Sequence, residues 1–343
     1  MGSKQNWGAY SIMNEKKIIG FDFGTTNSLI SVIRAGRPIN YLEGGGLPIP
    51  SVVCYEGART IVGRKAKENL AQAGLGIQGN VIRSPKMFLG KDSIFVEGVE
   101  RNTVEVVADV IRHVHDRAQL REEPKLGEVV GAVVTIPVDM EGYQRRALRE
   151  AFNRSGLRII QYVHEPHAAL YGYFRSEGAK AMLRNYNNKP ILVFDWGGGT
   201  LDLTLCRPVG GMLVQIANDG TDAVGGDKFD EILMNALIKK VMTERKLDEK
   251  TEIFPGGKAR LIDSCEAAKI QLSLRKQAVI YVESFFNDAN DDSFDYVLSK
   301  EEMEQLVKPR IDEGIKRIER MLEGAGFQSE QVALCLATGG MAN

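Results

Sequence analysis

The chain has 343 residues, room for about two domains of ordinary size. Its 44 Lys and Arg nearly balance its 45 Asp and Glu, a formal net charge of −1, which argues against a broad electrostatic footprint for nucleic acid or acidic membranes. Apolar residues make up 43% and charged ones 26%, so disorder throughout is excluded, and no run reaches the ~18 apolar residues that a bilayer demands.

Residues 1–13 are polar, lack the apolar core of a secretory signal, and read as a tag or disordered leader ahead of a natural start at Met13. Strands joined by Gly-containing turns are expected over 18–23, 28–33 and 39–42. Val104, Val107, Ala108, Ile111 and Ala118 keep helical spacing, which predicts a helix over 103–119 with one buried face. A continuous apolar strand over 130–136 ends at Pro137. The next helix takes Asp139 as its N-cap, buries Tyr143, Ala147, Leu148, Ala151 and Phe152, and stops at Gly156. Further helices are expected over about 228–244, 259–274 and 301–323, the last kinked or restarted by Pro309. The acidic stretch 287–295 reads as a surface loop or hairpin tip. The four cysteines, Cys54, Cys206, Cys265 and Cys335, are far apart with no CxxC pair, which suits reduced thiols in the cytoplasm.

The most informative feature is a long-period repeat. Ile18-Ile19-Gly20-Phe21-Asp22-Phe23-Gly24-Thr25-Thr26 returns in outline as Ile191-Leu192-Val193-Phe194-Asp195-Trp196-Gly197-Gly198-Gly199-Thr200. Each copy is an apolar strand ending in Asp-aromatic-Gly, then a small-residue turn, then a second strand. Asp22 and Asp195 stand 173 positions apart, a period too long for solenoids or propellers. It implies two similar lobes facing each other across a cleft. Glycines let the backbone approach a ligand, and successive N–H groups form an anion nest, so two facing turns would grip a polyphosphate from both sides. Asp22 and Asp195 would then share a Mg²⁺ through its retained waters. One such turn alone is as well explained by a β-hairpin whose Asp stabilises the bend; the matched pair is what favours phosphate binding.

These segments resemble the two phosphate loops of the actin-like ATPase superfamily, and specifically the nucleotide-binding domain of the seventy-kilodalton heat-shock (DnaK-like) chaperones. The likeness extends over residues 18–343. It includes Pro50-Ser51-Val52-Val53, Arg83-Ser84-Pro85-Lys86, Ala132-Val133-Val134-Thr135-Ile136-Pro137 and Glu165-Pro166. It continues through Val224-Gly225-Gly226-Asp227-Lys228-Phe229-Asp230, Cys265-Glu266-Ala267-Ala268-Lys269 and Ala337-Thr338-Gly339-Gly340. Each piece is weak alone; the ordered set fits that family better than actin or the sugar kinases. The fold class implied is α/β, an actin-like ATPase with two duplicated lobes, each a mixed sheet flanked by helices and carrying an inserted subdomain. The lobes would span 14–184, with an insertion at about 51–103, and 185–343, with an insertion at about 225–304 and a truncated C-terminus.

The resemblance also implies roles. Gly24, Thr25, Thr26 and Asn27 would hold the β-phosphate region, and Gly197, Gly198, Gly199 and Thr200 the γ-phosphate. Gly225, Gly226 and Asp227 would close the same pocket. Lys86 would reach in from the insertion to position the attacking water, although its sequence position alone reads as a surface lysine. Glu165 would hold a metal-bound water, and Asp22, Asp195 or Asp202 would assist deprotonation. Pro137 and Arg145 match positions that couple nucleotide state to a partner domain. Glu266, Lys269 and Ser273 would contact ribose and base, with Gly339 and Gly340 in the last turn. Here the chain departs from the pattern: Ile270, Met341 and Asn343 stand where the family has arginine, serine and arginine, and His167 replaces a threonine. Cation–π stacking on the base, worth ~0.5–2 kcal/mol, is therefore lost.

Three tempting motifs are declined. Gly74, Gly76 and Gly79 fit G-x-G-x-x-G but follow a helical stretch rather than a strand. His164 and His167 flank Glu165-Pro166 without the spacing of a helical zinc site. His115 sits on an apolar helix face, the usual place of a satisfied core histidine. The expected function is thus a Mg-ATP-binding, slowly hydrolysing chaperone domain, with ATP/ADP, Mg²⁺ and K⁺ as candidate ligands. Expected partners are a peptide-binding domain or client, a co-chaperone and a nucleotide exchange factor, with neither nucleic acid nor membrane, and a monomeric isolated domain. The alternatives are a polymerising actin-like ATPase, a small-molecule kinase on the same fold, or a nucleotide sensor with little turnover.

Overall fold

Asp22 and Asp195 each end the central strand of a mixed sheet, in a computed structural model that describes residues 16–342 apart from 44–45, 73–79, 97, 222, 249, 255 and 288–290. The leader 1–13, the glycines at 74, 76 and 79, and Asn343 lie outside the described residues.

In the first half, β1 (Lys17–Phe23), β2 (Asn27–Arg34) and β3 (Arg37–Tyr41) form a meander, and β4 (Ile49–Pro50) pairs with the start of β2. The insertion holds β5 (Val52–Glu56), β6 (Arg59–Val62), α1 (Arg64–Gln72), β7 (Val81–Arg83) and a 3-10 turn at Pro85–Phe88. A hairpin of β8 (Ser93–Val96) and β9 (Val99–Asn102) completes it. The chain returns through α2 (Thr103–Gln119), β10 (Val129–Ile136), α3 (Gly142–Arg154) and β11 (Ile159–His164). The sheet order is β11-β10-β1-β2-β3, with β10 parallel to both β1 and β11.

The second half has α4 (Glu165–Ser176), α5 (Ala179–Asn185), β12 (Ile191–Trp196), β13 (Leu201–Val209) and β14 (Met212–Thr221). Then follow α6 (Gly226–Glu244), α7 (Gly257–Leu272), the hairpin β15 (Gln277–Val282) and β16 (Phe294–Ser299), α8 (Lys300–Gly324) and β17 (Leu334–Thr338). This sheet runs β14-β13-β12-β17. The sequence repeat is thus a repeat of topology. β1 is antiparallel to β2 and parallel to β10, and β12 is antiparallel to β13 and parallel to β17.

Packing follows the apolar periodicity. Ile19, Phe21 and Phe23 alternate inward against α2 and α3, where Phe21 meets Phe152 edge-on at 5.0 Å. β13 is buried on both faces although its sequence alternates: Leu201, Leu203 and Leu205 face α6 and α8, while Cys206 faces α4 and α5, and Asp202 and Thr204 are buried polar residues. A third core joins α6, α7 and the β15–β16 hairpin around Phe285, Phe286 and Phe294. Among the described residues no helix is long and apolar enough to cross a membrane.

Several expectations need correction. Asp139 does not cap α3. Pro137 to Met140 first make a turn, closed by the Met140 N–H donating to the Pro137 carbonyl at 3.4 Å, so the cap shifts to Glu141. Tyr143, at the first turn's outer face, is 50% exposed rather than core. α8 does not restart at Pro309, which lies inside it at an exposed position. The acidic stretch 287–295 does lie at the tip of the β15–β16 hairpin, with its last two residues, buried Phe294 and Asp295, already in β16. His115 is half-buried beside Gln119, at 3.2 Å.

Candidate functional site

The two Asp–Gly turns face each other across one cleft of about 960 Å³. Their approach is close: a Cβ on Gly198 would stand 2.1 Å from Thr26 Oγ1, and one on Gly199 would stand 2.7 Å from Thr25 Cγ2. The first turn is pinned from the insertion, where the Ser51 hydroxyl donates to the Gly24 carbonyl at 2.9 Å and the Ser51 N–H to the Thr26 carbonyl at 2.8 Å. The second is pinned by the start of α6. There the Gly226 and Asp227 N–H groups donate to the Gly197 and Gly198 carbonyls, and Trp196 Nε1 donates to the Val224 carbonyl at 2.6 Å. Gly225 must be glycine, since a Cβ would lie 2.4 Å from the Gly199 backbone. Gly339 must be too, having φ of 90° and no room beside the Trp196 carbonyl.

One end of the cleft is acidic. Asp22, at the end of β1, accepts from Thr135 Oγ1 at 2.7 Å. Asp195 pairs in register with Asp202 on one side and Thr338 on the other. Asp202 accepts from Thr200 Oγ1 at 2.6 Å. Burial, then the charges of Glu165, Asp202 and Asp22, pushes the Asp195 carboxyl up to about 7 against the pull of Lys86. Burial likewise pushes Asp202 up to about 6 despite the Thr200 hydrogen bond, with Glu165 and Asp139 adding to the rise. Lys86, on the 3-10 turn, is only 7% exposed and donates to Glu165 Oε1 at 2.7 Å. Burial opposes its charge, but Glu165 and then Asp22 and Asp202 outweigh burial and hold its pKa above the ordinary lysine value. Glu165 is delivered by the β11–α4 junction, where Pro166 suits the first turn of the helix.

The other end is built by α6, α7 and the turn after β17. Lys269 pairs with buried Asp230 at 2.7 Å and donates to the Gly226 carbonyl at 3.0 Å. Glu266 accepts from Lys67 at 2.9 Å and from Arg83 at 2.8 Å, both in the first lobe's insertion. Burial works against its charge, yet Lys67, Arg83 and Lys269 hold its carboxyl below the ordinary glutamate value. Arg83 also reaches Asp263 at 3.4 Å, and Ser84 Oγ lies 3.3 Å from Asp227 Oδ2. These contacts tie the two insertions together over the cleft.

The family model described as Hsp70 protein matches residues 18–97 and 90–343. The chain belongs to the Hsp70 family. Among curated proteins it is 33% identical over 333 residues to the chaperone protein DnaK of Mycoplasma mycoides, covering 96% of this chain and 53% of that protein. It is 29% identical over 347 residues to a chaperone protein HscA homolog of Azotobacter vinelandii, covering 94% of this chain and 51% of that one. A homolog of the same name from Pseudomonas paraeruginosa gives 29% over 352 residues, with the same 94% and 51% coverage. The chain spans about half the length of the curated relatives it matches. Its two-lobed α/β architecture is the actin-like fold of the Hsp70 family.

Most of the residues expected at an Hsp70-type site line this cleft: Asp22, Gly24, Thr25, Thr26, Asn27, Lys86, Pro137, Glu165, Asp195, Gly197, Gly198, Thr200, Asp202, Gly226, Asp227, Glu266, Lys269, Ile270, Gly339, Gly340 and Met341. Gly199 and Gly225 lie just behind the wall as spacers. Two do not join it. The Ser273 hydroxyl is exposed and donates back to the Ile270 carbonyl at 2.7 Å, because α7 ends one residue earlier. Arg145 lies behind the cleft, its Nε donating to the Met140 carbonyl at 2.8 Å. Residues not anticipated include Asp139, Gln144, Thr221 and Arg317 on the wall, and Lys67 over it. Arg317 is mid-helix, anchored to Asp219 at 3.2 Å, and nothing local in the sequence marks it.

Proposed function

We propose that this Hsp70-family chain binds Mg-ATP and slowly hydrolyses it to ADP and phosphate, as the nucleotide-binding domain of a heat-shock-type chaperone in the cytoplasm. The observation that carries the reading is the pair of facing Asp–Gly turns with the buried Lys86–Glu165 ion pair in the same cleft. Gly24, Thr25, Thr26 and Asn27 hold the β-phosphate, and Gly197, Gly198, Gly199 and Thr200 receive the γ-phosphate. Lys86, kept charged by Glu165, orients the attacking water and offsets charge as the phosphoryl group leaves. Asp195 and Asp202, whose carboxyls burial and neighbouring charges push up, are the groups to take a proton from that water.

A divalent cation fits this donor set. Four carboxylates share one lysine, and two of them resist ionisation, which is the charge deficit that a hard cation relieves. Asp22 and Asp195 would hold Mg²⁺ through its retained waters. Bound there, Mg²⁺ would neutralise phosphate oxygens; K⁺ is a second candidate for the same acidic end.

Coupling would run from Pro137 on the cleft wall through the Met140 carbonyl to Arg145, and on to Tyr162 of β11, whose hydroxyl donates to the Arg145 carbonyl at 2.9 Å. The recipient is a peptide-binding region or client, with a co-chaperone and an exchange factor as further partners, and the domain is a monomer. We take the lobes as 14–184 and 185–343, with insertions at about 51–103 and 225–304. Phosphate release by wild type and Lys86→Ala tests the reading. Turnover should fall at least ~100-fold in the variant while nucleotide binding persists. Equal turnover in the two would overturn it.

A further inference from the structure

We propose that the cleft accepts nucleoside triphosphates with little regard for the identity of the purine. The inference rests on the reading of the cleft as a nucleotide site and concerns what the nucleoside would meet there. With phosphates between the two Asp–Gly turns, the acidic end is taken, so the nucleoside extends toward α7 and the turn after β17. At that end the polar side chains are already committed. Glu266 is held by Lys67 and Arg83, and Lys269 by Asp230 and the Gly226 carbonyl. The Ser273 hydroxyl turns back onto its own helix.

Among the described residues, the side chains that remain to face a base are apolar. Ile270 is 61% exposed on the cleft side of α7, and Met341 brings its sulfur to 2.9 Å from where a Cβ on Gly226 would stand. A branched aliphatic chain and a thioether grip a flat ring through contact area and sulfur–ring attraction. Neither reads the pattern of donors and acceptors on the ring edge. An apolar site discriminates poorly between isosteres, whereas strong rejection needs buried polar groups left unpaired by the wrong ligand. Adenine, guanine and hypoxanthine offer nearly the same face. Cytosine and uracil offer a smaller one and bind more weakly for that reason alone.

The test is displacement of a ribose-labelled fluorescent ADP from the full chain, in Mg²⁺, by ATP, GTP, ITP and CTP. It is repeated on Ile270→Ala, a substitution at an exposed position. The expected result is competition by ATP, GTP and ITP within about 10-fold of one another, CTP weaker, and a similar several-fold loss for all three purines in the variant. A preference for ATP over GTP beyond about 100-fold overturns the inference while leaving the nucleotide site standing. So does a variant that weakens ATP and spares GTP. Failure of the labelled ADP to bind folded protein removes the nucleotide site itself, and the inference with it.

Discussion

Lys86 is the perturbation with the most to reveal, because one buried ammonium offsets a cluster of carboxylates. Replacing it with methionine keeps the volume and removes the charge, leaving Glu165 beside Asp22, Asp195 and Asp202 without their cation. Breaking a buried ion pair on one side costs about 3–5 kcal/mol, and more of that cost should appear at pH 8 than at pH 6. The pH dependence carries the diagnostic sign. Asp195 and Asp202 have folded pKa values raised above 3.8, to about 7 and about 6, so their contribution to stability is present at low pH and lost as pH rises through 6–7. In metal-free wild type this amounts to about 2 kcal/mol between pH 6 and 8. Without Lys86 both values climb further; for a rise of about one pH unit each, the loss over the same window roughly doubles. The deficit of Lys86→Met should therefore shrink by about 2 kcal/mol on acidifying from pH 8 to pH 6. Urea denaturation at the two pH values measures it. A deficit under about 1 kcal/mol, or one that ignores pH, would refute the placement of Lys86 as the cluster's counter-charge.

The remaining expectations concern the cleft's other parts. Arg83→Ala or Glu266→Ala loosens the ties between the insertions, so labelled ADP should leave about 10-fold faster in stopped flow; an unchanged rate contradicts a closing role. Gly225→Ala forces a Cβ to 2.4 Å from the Gly199 backbone and should cost ~2–3 kcal/mol in denaturation along with nucleotide binding, whereas Gly172→Ala, in α4 with open space around it, should cost neither. In Mg²⁺, which relieves the resistance of the Asp195–Asp202 pair to ionise, the rise of phosphate release with pH should lie below the pH of about 6–7 at which the metal-free carboxyls ionise; a rate that climbs only above about pH 8 removes these carboxyls as the base.

The fold and the centre of the site were legible because both are written in local pattern. Two strands ending in Asp-aromatic-Gly announced the duplication, and the structure answers with matching strand neighbours around β1 and β12. What the sequence hid is what distant segments build together. Lys67 and Arg83 reach Glu266 from 199 and 183 positions away, and no local periodicity encodes such a pair. Thr135 meets Asp22 only because β10 lies beside β1. Asp139 was misread for a different reason. An Asp two places after the proline that ends a strand looks like a helix cap, but the intervening turn carries it to the cleft wall instead. Lys86 in isolation resembles any surface lysine, and only tertiary packing buries it.

Calorimetric titration of the chain with ATP, with Mg²⁺ and then with EDTA, tests the central claim most directly. A single site per chain is predicted, with a dissociation constant of roughly 1 μM or tighter in Mg²⁺ and binding about 100-fold weaker in its absence. A cooperatively folded sample that gives no heat of binding with Mg-ATP at millimolar concentration would contradict the assignment of the cleft.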